Sequence, residues 1–348
     1  MPYAEFAIPR LSNTPFDPKA VSATDEAWLK RMGLQTSDPR GSGWLIGGST
    51  YVSLTWSNLP ERASRIGVDL LTSMGIFDDI CDQVIIGPQQ IRDYLAPVFA
   101  LTWDPDDSTA DHENPLARTF VDLWSRASSG RSDHWRRRAQ GHWREFLNGW
   151  IIQADWRESG TRPNLYTFWE ARRQVLGVRV MLDYLEAACG YEIDPRVINH
   201  LTIRRLCDLS VDVVFLVNDT FSYEREKHFQ EANNFLMVLE RERNWSLDQA
   251  VGECQRLVRE AYREFHRLRS SLRQIAVMPG YCGEKEWEQL EHYIGMWHDI
   301  MRGNYDWHLF MFELRERYCG NDFEGLNYLE QVLPLASNRA IAVDSARS

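Results

Sequence analysis

The chain of 348 residues has little that would staple it covalently or seat it in a membrane. Its six cysteines (Cys81, Cys189, Cys207, Cys254, Cys282 and Cys319) are scattered and form no CxxC pair. That excludes a disulfide framework or a cysteine zinc site and reads as reduced, mostly buried thiols. No apolar run approaches the roughly 20 residues of a membrane span, so no stable membrane insertion is expected. The first twenty residues, with Glu5, Pro9 and Pro15, lack the basic start and apolar stretch of a secretory signal, and a cytoplasmic protein is expected. There is no Pro/Gly/Ser-rich linker, low-complexity tract or internal repeat. One domain is therefore expected over residues 21–320, preceded by an N-terminal extension (1–20) and followed by a C-terminal tail (321–348). Positive charge is outnumbered, with 39 Lys and Arg against 50 Asp and Glu. The net charge is −11 and the pI about 5.4, and the only dense basic run, Arg136-Arg137-Arg138, reads as a solvated helix face. Phosphate-backbone binding needs a basic surface, so nucleic acid is excluded as the main partner.

Alternating polar and apolar strand patterns are missing too, and the period that is present is helical. From Leu247 to Val277, apolar residues recur at three and four positions, and Ser246-Leu-Asp-Gln249 supplies a capping-box start in which the two polar side chains satisfy free N–H groups reciprocally. Helices are further expected over roughly 24–33, 43–57, 61–83, 89–103, 114–127, 133–157, 165–189, 194–227, 232–243 and 284–318. Turn chemistry separates them, as at Asn58-Leu-Pro60, Gly87-Pro88, Ser128-Ser-Gly130, Gly160-Thr-Arg-Pro163 and Pro279-Gly280. Ten or so helices without strands predict an all-α bundle, a fold that can hold a cavity along its axis.

Two acidic clusters about 140 residues apart stand out. In Asp78-Asp79-Ile80-Cys81-Asp82, three carboxylates share one helical face. After the apolar run 213–217 come Asn218, Ser222 and Glu226 at i, i+4 and i+8, which aligns an amide, a hydroxyl and a carboxylate along one stripe. Asp219 points about 100° away from that stripe and reads as structural. Hard cations take oxygen ligands of this kind, and Mg²⁺ is commonly completed by water and substrate phosphate. A solvated acidic face is the bland alternative for the first cluster, but Ile76, Phe77, Ile80 and Cys81 crowd it.

At these residues the sequence resembles the class I terpene synthases (terpene cyclases) of the microbial type. Asp78 to Asp82 matches that family's DDxxD motif, and Asn218, Ser222 and Glu226 match its NDxxSxxxE motif, with basic Arg225 before the final glutamate. The resemblance runs from about residue 40 to about residue 318. It implies a single-domain helical bundle around a central cavity, monomeric or homodimeric, acting on a linear isoprenyl diphosphate. Farnesyl diphosphate is the default substrate and geranylgeranyl diphosphate the next. It also implies three Mg²⁺ ions (Mn²⁺ as a substitute) held by Asp78, Asp79, Asp82, Asn218, Ser222 and Glu226.

The same resemblance assigns further residues. Arg172, 46 residues before Asn218 in Phe168-Trp-Glu-Ala-Arg172-Arg-Gln-Val-Leu-Gly177, matches the family's diphosphate-sensing arginine, in a segment that the family follows with a glycine-containing helix break, with Arg173 the confusable neighbour. Arg157 and Arg225 match other basic positions near the diphosphate. Arg302-Gly-Asn-Tyr-Asp-Trp307 resembles the last cavity helix, but the Arg-Tyr dipeptide expected six residues after the tryptophan is replaced by Glu313-Leu314. Arg317-Tyr318 comes one helical turn later, with Arg315 a competitor for its role. A carbocation needs π faces and no nucleophile; Trp307 and Phe77 are the cavity candidates, followed by Trp56, Tyr51 and Phe215. Two alternatives stay open. One is a chain-elongating prenyltransferase, which would carry a second aspartate-rich motif where Asn218, Ser222 and Glu226 stand. The other is a non-catalytic helical binding protein that has kept the motifs.

Overall fold

The computed structural model describes residues 5–9, 21, 24, 26–35, 42–82, 88–106, 113–228, 234–276 and 283–318, without the side chains of 42–46, 79–82, 88, 225, 228, 275–276 and 312–318. Every regular element among the described residues is a helix: α1 (Glu26–Met32), α2 (Ser42–Thr55), α3 (Glu61–Asp82), α4 (Pro88–Leu101), α5 (Pro115–Ser128), α6 (Asp133–Ser159), α7 (Leu165–Val175), α8 (Val178–Ala188), α9 (Pro195–Ile198), α10 (Leu201–His228), α11 (Phe235–Arg243), α12 (Leu247–Ala276) and α13 (Glu284–Tyr318). The all-α expectation is met. The capping box of α12 is formed: Ser246 N–H donates to Gln249 Oε1 at 2.9 Å and Gln249 N–H to Ser246 Oγ at 3.3 Å. The C-terminal tail 321–348 lies outside the described residues.

Two expected helices are each split. The span 165–189 is α7 and α8, separated at Leu176-Gly177, because Gly177 takes φ +62°, which an L side chain rarely adopts. A Cβ there would also lie 2.0 Å from Met74 Cε and 3.0 Å from Phe146 Cδ2. The span 194–227 is α9 and α10. Asn199 terminates α9 by donating from its side chain to Pro195 O at 2.8 Å, and His200 Nδ1 accepts from Thr202 N–H at 3.2 Å as α10 begins.

Five helices close a ring: α2 packs on α3, α3 on α8, α8 on α10, α10 on α13 and α13 back on α2. Close approach fixes the registers. Gly48 of α2 sits against Thr72 of α3, Gly67 of α3 against the Trp56 ring, and Gly303 of α13 against the Leu54 carbonyl; a Cβ at any of the three would fall within 2.7 Å of its neighbour. Asn304 Nδ2 ties α13 to α10 at the Val214 carbonyl, 3.3 Å away. These pairings run α2 antiparallel to α3 and α13, and α13 alongside α10. The C-terminal halves of α3, α10 and α13, which hold the sequence motifs, therefore share one end of the ring with the N-terminal half of α2. Part of the N-terminal extension belongs to this packing: Phe6 and Ile8 are buried, Phe6 meets Tyr305 edge-on at 5.5 Å, and Arg302 donates to Ile8 O at 2.6 Å.

Candidate active site

The stripe on α10 emerges from an apolar run, Val213 to Val217, that is buried throughout. Asn218 is partly exposed, whereas Ser222 and Glu226, one and two turns further on, are buried. Arg172, in the last turn of α7, is also buried, and its guanidinium lies along this stretch of α10. Its Nε and Nη2 both donate to Asp219 Oδ1, at 2.8 and 2.6 Å. Nη2 also reaches Asn218 Oδ1 at 3.1 Å and comes within 3.7 Å of Glu226 Oε1. Arg172 thus meets the second motif rather than the outer surface. Its neighbour Arg173 is turned elsewhere: it grips Asp212, two turns earlier on α10, through Nε at 2.7 Å and Nη2 at 2.8 Å, and Trp169 Nε1 joins the same carboxylate at 2.9 Å.

Asp219 is fully buried, and its angular offset from the Asn218, Ser222 and Glu226 stripe is what turns it to α7. Burial holds its carboxyl above the ordinary carboxylate range, against the pull of the Arg172 guanidinium, and the nearby Glu226 pushes the same way as burial. Its second oxygen, Oδ2, accepts from the Phe235 N–H at 2.8 Å. Sequence reasoning set Asp219 aside as structural, yet it is the main anchor of Arg172. It also missed Asn234, whose side chain contacts Glu226 Oε2 at 2.7 Å. The only signal for Asn234 was an asparagine directly before the apolar start of α11.

The donor set can be tested for a cation. Ser222 Oγ is buried without a hydrogen-bond partner, and an unsatisfied buried polar group costs about 1–3 kcal/mol. Between Asn218 and Glu226, that hydroxyl leaves an oxygen open to an ion. Amide, hydroxyl and carboxylate oxygens suit Mg²⁺ or Mn²⁺ rather than zinc, so the residues fit the metal. Among the described residues no three His, Cys, Asp or Glu side chains cluster as a metal site, as expected for a stripe with only one carboxylate. Asp78 is partly buried near the end of α3, one turn beyond the Met74 that touches Gly177. Asp79 and Asp82 continue α3, Arg225 lies on α10, and Arg317-Tyr318 end α13; the side chains of all five lie outside the described residues. Arg157 is partly buried in the last turn of α6.

The aromatic candidates separate. Trp307 donates from Nε1 to the Gly47 carbonyl at 2.8 Å and packs edge-on against Tyr51 at 5.7 Å, joining α13 to α2. Phe77 instead faces α6, with ring centroids 5.4 Å from Phe146 and 6.5 Å from Trp150, and lines a small apolar cavity with Met74, Val98, Phe120 and Trp143. Phe215 is packed between Trp169 and Phe235, on the α7 and α11 side, and Trp56 covers Gly67 at the other end of α2.

Residues 69–264 match the family described as terpene synthase family 2, C-terminal metal binding. Among characterised proteins, pentalenene synthase of Streptomyces arenae is 31% identical over 310 residues, covering 87% of this chain and 90% of the relative. The (−)-β-caryophyllene synthase of Saccharothrix espanaensis, named as cyclising (2E,6E)-farnesyl diphosphate, is 27% identical over 84% of this chain and 83% of its own. Among solved structures, the linalool/nerolidol synthase of Streptomyces clavuligerus shares the fold with a TM-score of 0.74 at 23% identity, over 87% of this chain and 100% of that one.

Proposed function

The chain belongs to terpene synthase family 2, and from that premise we propose that it ionises and cyclises farnesyl diphosphate with release of diphosphate. The protein is a terpene synthase, a lyase acting on diphosphates, and that membership favours cyclisation over the two alternatives, a chain-elongating enzyme and a non-catalytic binder. The fifteen-carbon substrate rests on relatives named for cyclising farnesyl diphosphate. A ten-carbon substrate is the competing reading, favoured by an R-linalool synthase relative 27% identical over 87% of this chain.

The observation that carries the site is the buried Arg172, fixed against Asn218 and Asp219 and within reach of Glu226. A guanidinium offers a rigid fork of donors that holds two phosphate oxygens at once. In this reading Asp219 orients that fork and Arg172 stabilises the charge growing on the departing diphosphate. Asp78, Asp79, Asp82, Asn218, Ser222 and Glu226 would hold Mg²⁺, which supplies positive charge to bind the diphosphate and ease its departure. Arg157 and Arg225 are proposed as further diphosphate contacts, with Arg317-Tyr318 in a lesser role. Trp307 and Tyr51 present π faces toward the allylic cation, and buried apolar walls keep water from it. Phe77, on the α6 side of α3, is proposed to shape the support of the aspartate motif.

Gas chromatography–mass spectrometry after incubation with geranyl, farnesyl and geranylgeranyl diphosphate and Mg²⁺ tests the proposal. A cyclic fifteen-carbon hydrocarbon or alcohol from farnesyl diphosphate, absent after EDTA treatment, is expected. A higher kcat/KM on the ten- or twenty-carbon diphosphate would overturn the substrate assignment, and undiminished product in EDTA would overturn the metal assignment.

A further inference from the structure

Asn234 is completely buried and stands immediately before α11, whose first turn it caps: its Oδ1 accepts from the Leu236 N–H at 2.9 Å. The amide nitrogen carries two hydrogens, and both go to α10. One meets the Asp219 carbonyl at 2.7 Å and the other Glu226 Oε2 at 2.7 Å. The next N–H, that of Phe235, donates to Asp219 Oδ2 at 2.8 Å. Two successive residues thus reach both carboxylates that lie beside Arg172.

A helix cap requires only an acceptor, and serine or aspartate would serve equally well. The donor half of Asn234 is not needed for capping, yet it binds two acceptors two helical turns apart on α10. Its effect falls on Glu226. With Oε2 tied to Asn234, the carboxylate has one orientation, and Oε1 is the oxygen left on the Arg172 side, 3.7 Å from Nη2. A glutamate has three side-chain torsions, and without a fixed donor this one would sample several rotamers.

We propose that Asn234 is a positioning residue for the metal–diphosphate site: by holding Oε2 of Glu226 it presents Oε1 to the cation and so sets the affinity for magnesium diphosphate. This rests on the reading of Asn218, Ser222 and Glu226 as ligands. Asn234 itself touches neither metal nor substrate. A ligand oxygen pre-oriented by a neighbour binds without paying for rotamer loss, and outer partners of this kind typically change metal affinity by about 10–100-fold.

The test uses Asn234→Ser and Asn234→Asp in the full chain. Both keep an acceptor for the Leu236 N–H; serine is too short to span to Glu226, and aspartate keeps the volume but has no donor. Calorimetric titration with inorganic diphosphate in Mg²⁺ reads binding without turnover. For a variant with unchanged helical circular dichroism, at least tenfold weaker binding is expected, with a comparable rise in the Mg²⁺ concentration for half-maximal turnover and an unchanged product profile. In a Glu226→Gln background, adding either change should weaken binding by less than twofold, because the group being positioned is already altered. Unchanged diphosphate affinity in a folded variant, or equal losses with and without Glu226→Gln, would overturn the proposal and leave Asn234 a helix cap. Failure of the unaltered protein to bind diphosphate in Mg²⁺ would instead overturn the ligand assignment beneath it.

Discussion

Asp219 takes two nitrogens of Arg172 on one oxygen and a backbone N–H on the other, so a single carboxylate links α7, α10 and α11. Asp219→Asn removes the charge while keeping the shape. Breaking a buried ion pair by altering one partner costs about 3–5 kcal/mol; the low end, about 3 kcal/mol, is expected because Glu226 remains within 3.7 Å of the guanidinium. Urea unfolding checks this. Turnover should fall on the order of 10²-fold, since a small displacement of a phosphate-binding group has that effect, and Arg172→Lys should do the same by losing the fork. Loss of turnover in Asp219→Asn without any loss of stability would argue against the pairing described here. A second residue-scale expectation concerns His266. Its Nε2 is buried without a partner, and its ring lies 4.4 Å from Tyr262 and 5.3 Å from His298, which is itself beside Asp299. Burial, then His298 and Arg269, hold its pKa below the ordinary value. The unfolded chain therefore binds a proton near pH 6.5 that the folded chain refuses, and stability declines as pH falls below about 6.5. His266→Phe should flatten the fall of the urea midpoint between pH 7 and pH 5; an equally steep fall would assign it to another group.

At the scale of elements, α7 is held to α10 at two points two helical turns apart on α10. Arg173 with Trp169 holds Asp212, and Arg172 holds Asp219, so the first clamp anchors the helix and the second belongs to the site. The break after α7 depends on Gly177, which needs a left-handed backbone and a space already filled by Met74 and Phe146. In Gly177→Ala the positive φ costs about 1 kcal/mol and the overpacking a further 1–3 kcal/mol. A loss of about 2–4 kcal/mol in denaturant unfolding is expected. Met74→Ala should recover part of it only in the Gly177→Ala background, because it removes the atom the new methyl would strike.

At the scale of the whole molecule, a further charged network lies away from the end that holds the sequence motifs, between the first half of α6 and the second half of α8. Arg138 joins Asp183 at 2.9 Å and also Glu186; His142 meets Asp183 at 2.6 Å; and Glu186 accepts the Ile193 N–H at 2.7 Å. Although burial opposes its charge, His142 and Arg138 hold the Asp183 carboxyl below its ordinary value. Its contribution is therefore present above about pH 4 and fades as pH falls through the folded value. Asp183→Asn should destabilise by about 3–5 kcal/mol, since it leaves buried cations short of a partner. The product profile should not change, because the network touches no motif residue described here. A changed profile would mean that this end of the bundle also shapes the cavity.

Local physics is what the sequence determined by itself. Helical periodicity, the Ser246–Gln249 capping box and the absence of alternating segments settled the all-α class, and the i, i+4, i+8 spacing set Asn218, Ser222 and Glu226 on one face of α10. Each rests on interactions within a few residues, which a sequence displays directly. The break at Asn199 was not legible and that at Gly177 came only through the family resemblance, because a glycine or asparagine ends a helix only in some surroundings; at Gly177, Met74 and Phe146 leave no room for a side chain. Tertiary structure alone decided the partnerships. It paired Arg172 with Asp219 and Arg173 with Asp212, put Phe77 toward α6 and Trp307 toward α2, and carried Asn234 to Glu226. Periodicity states which face of a helix a residue occupies; which neighbour covers that face follows from how the helices close their ring, and that is fixed by contacts between residues far apart in the chain.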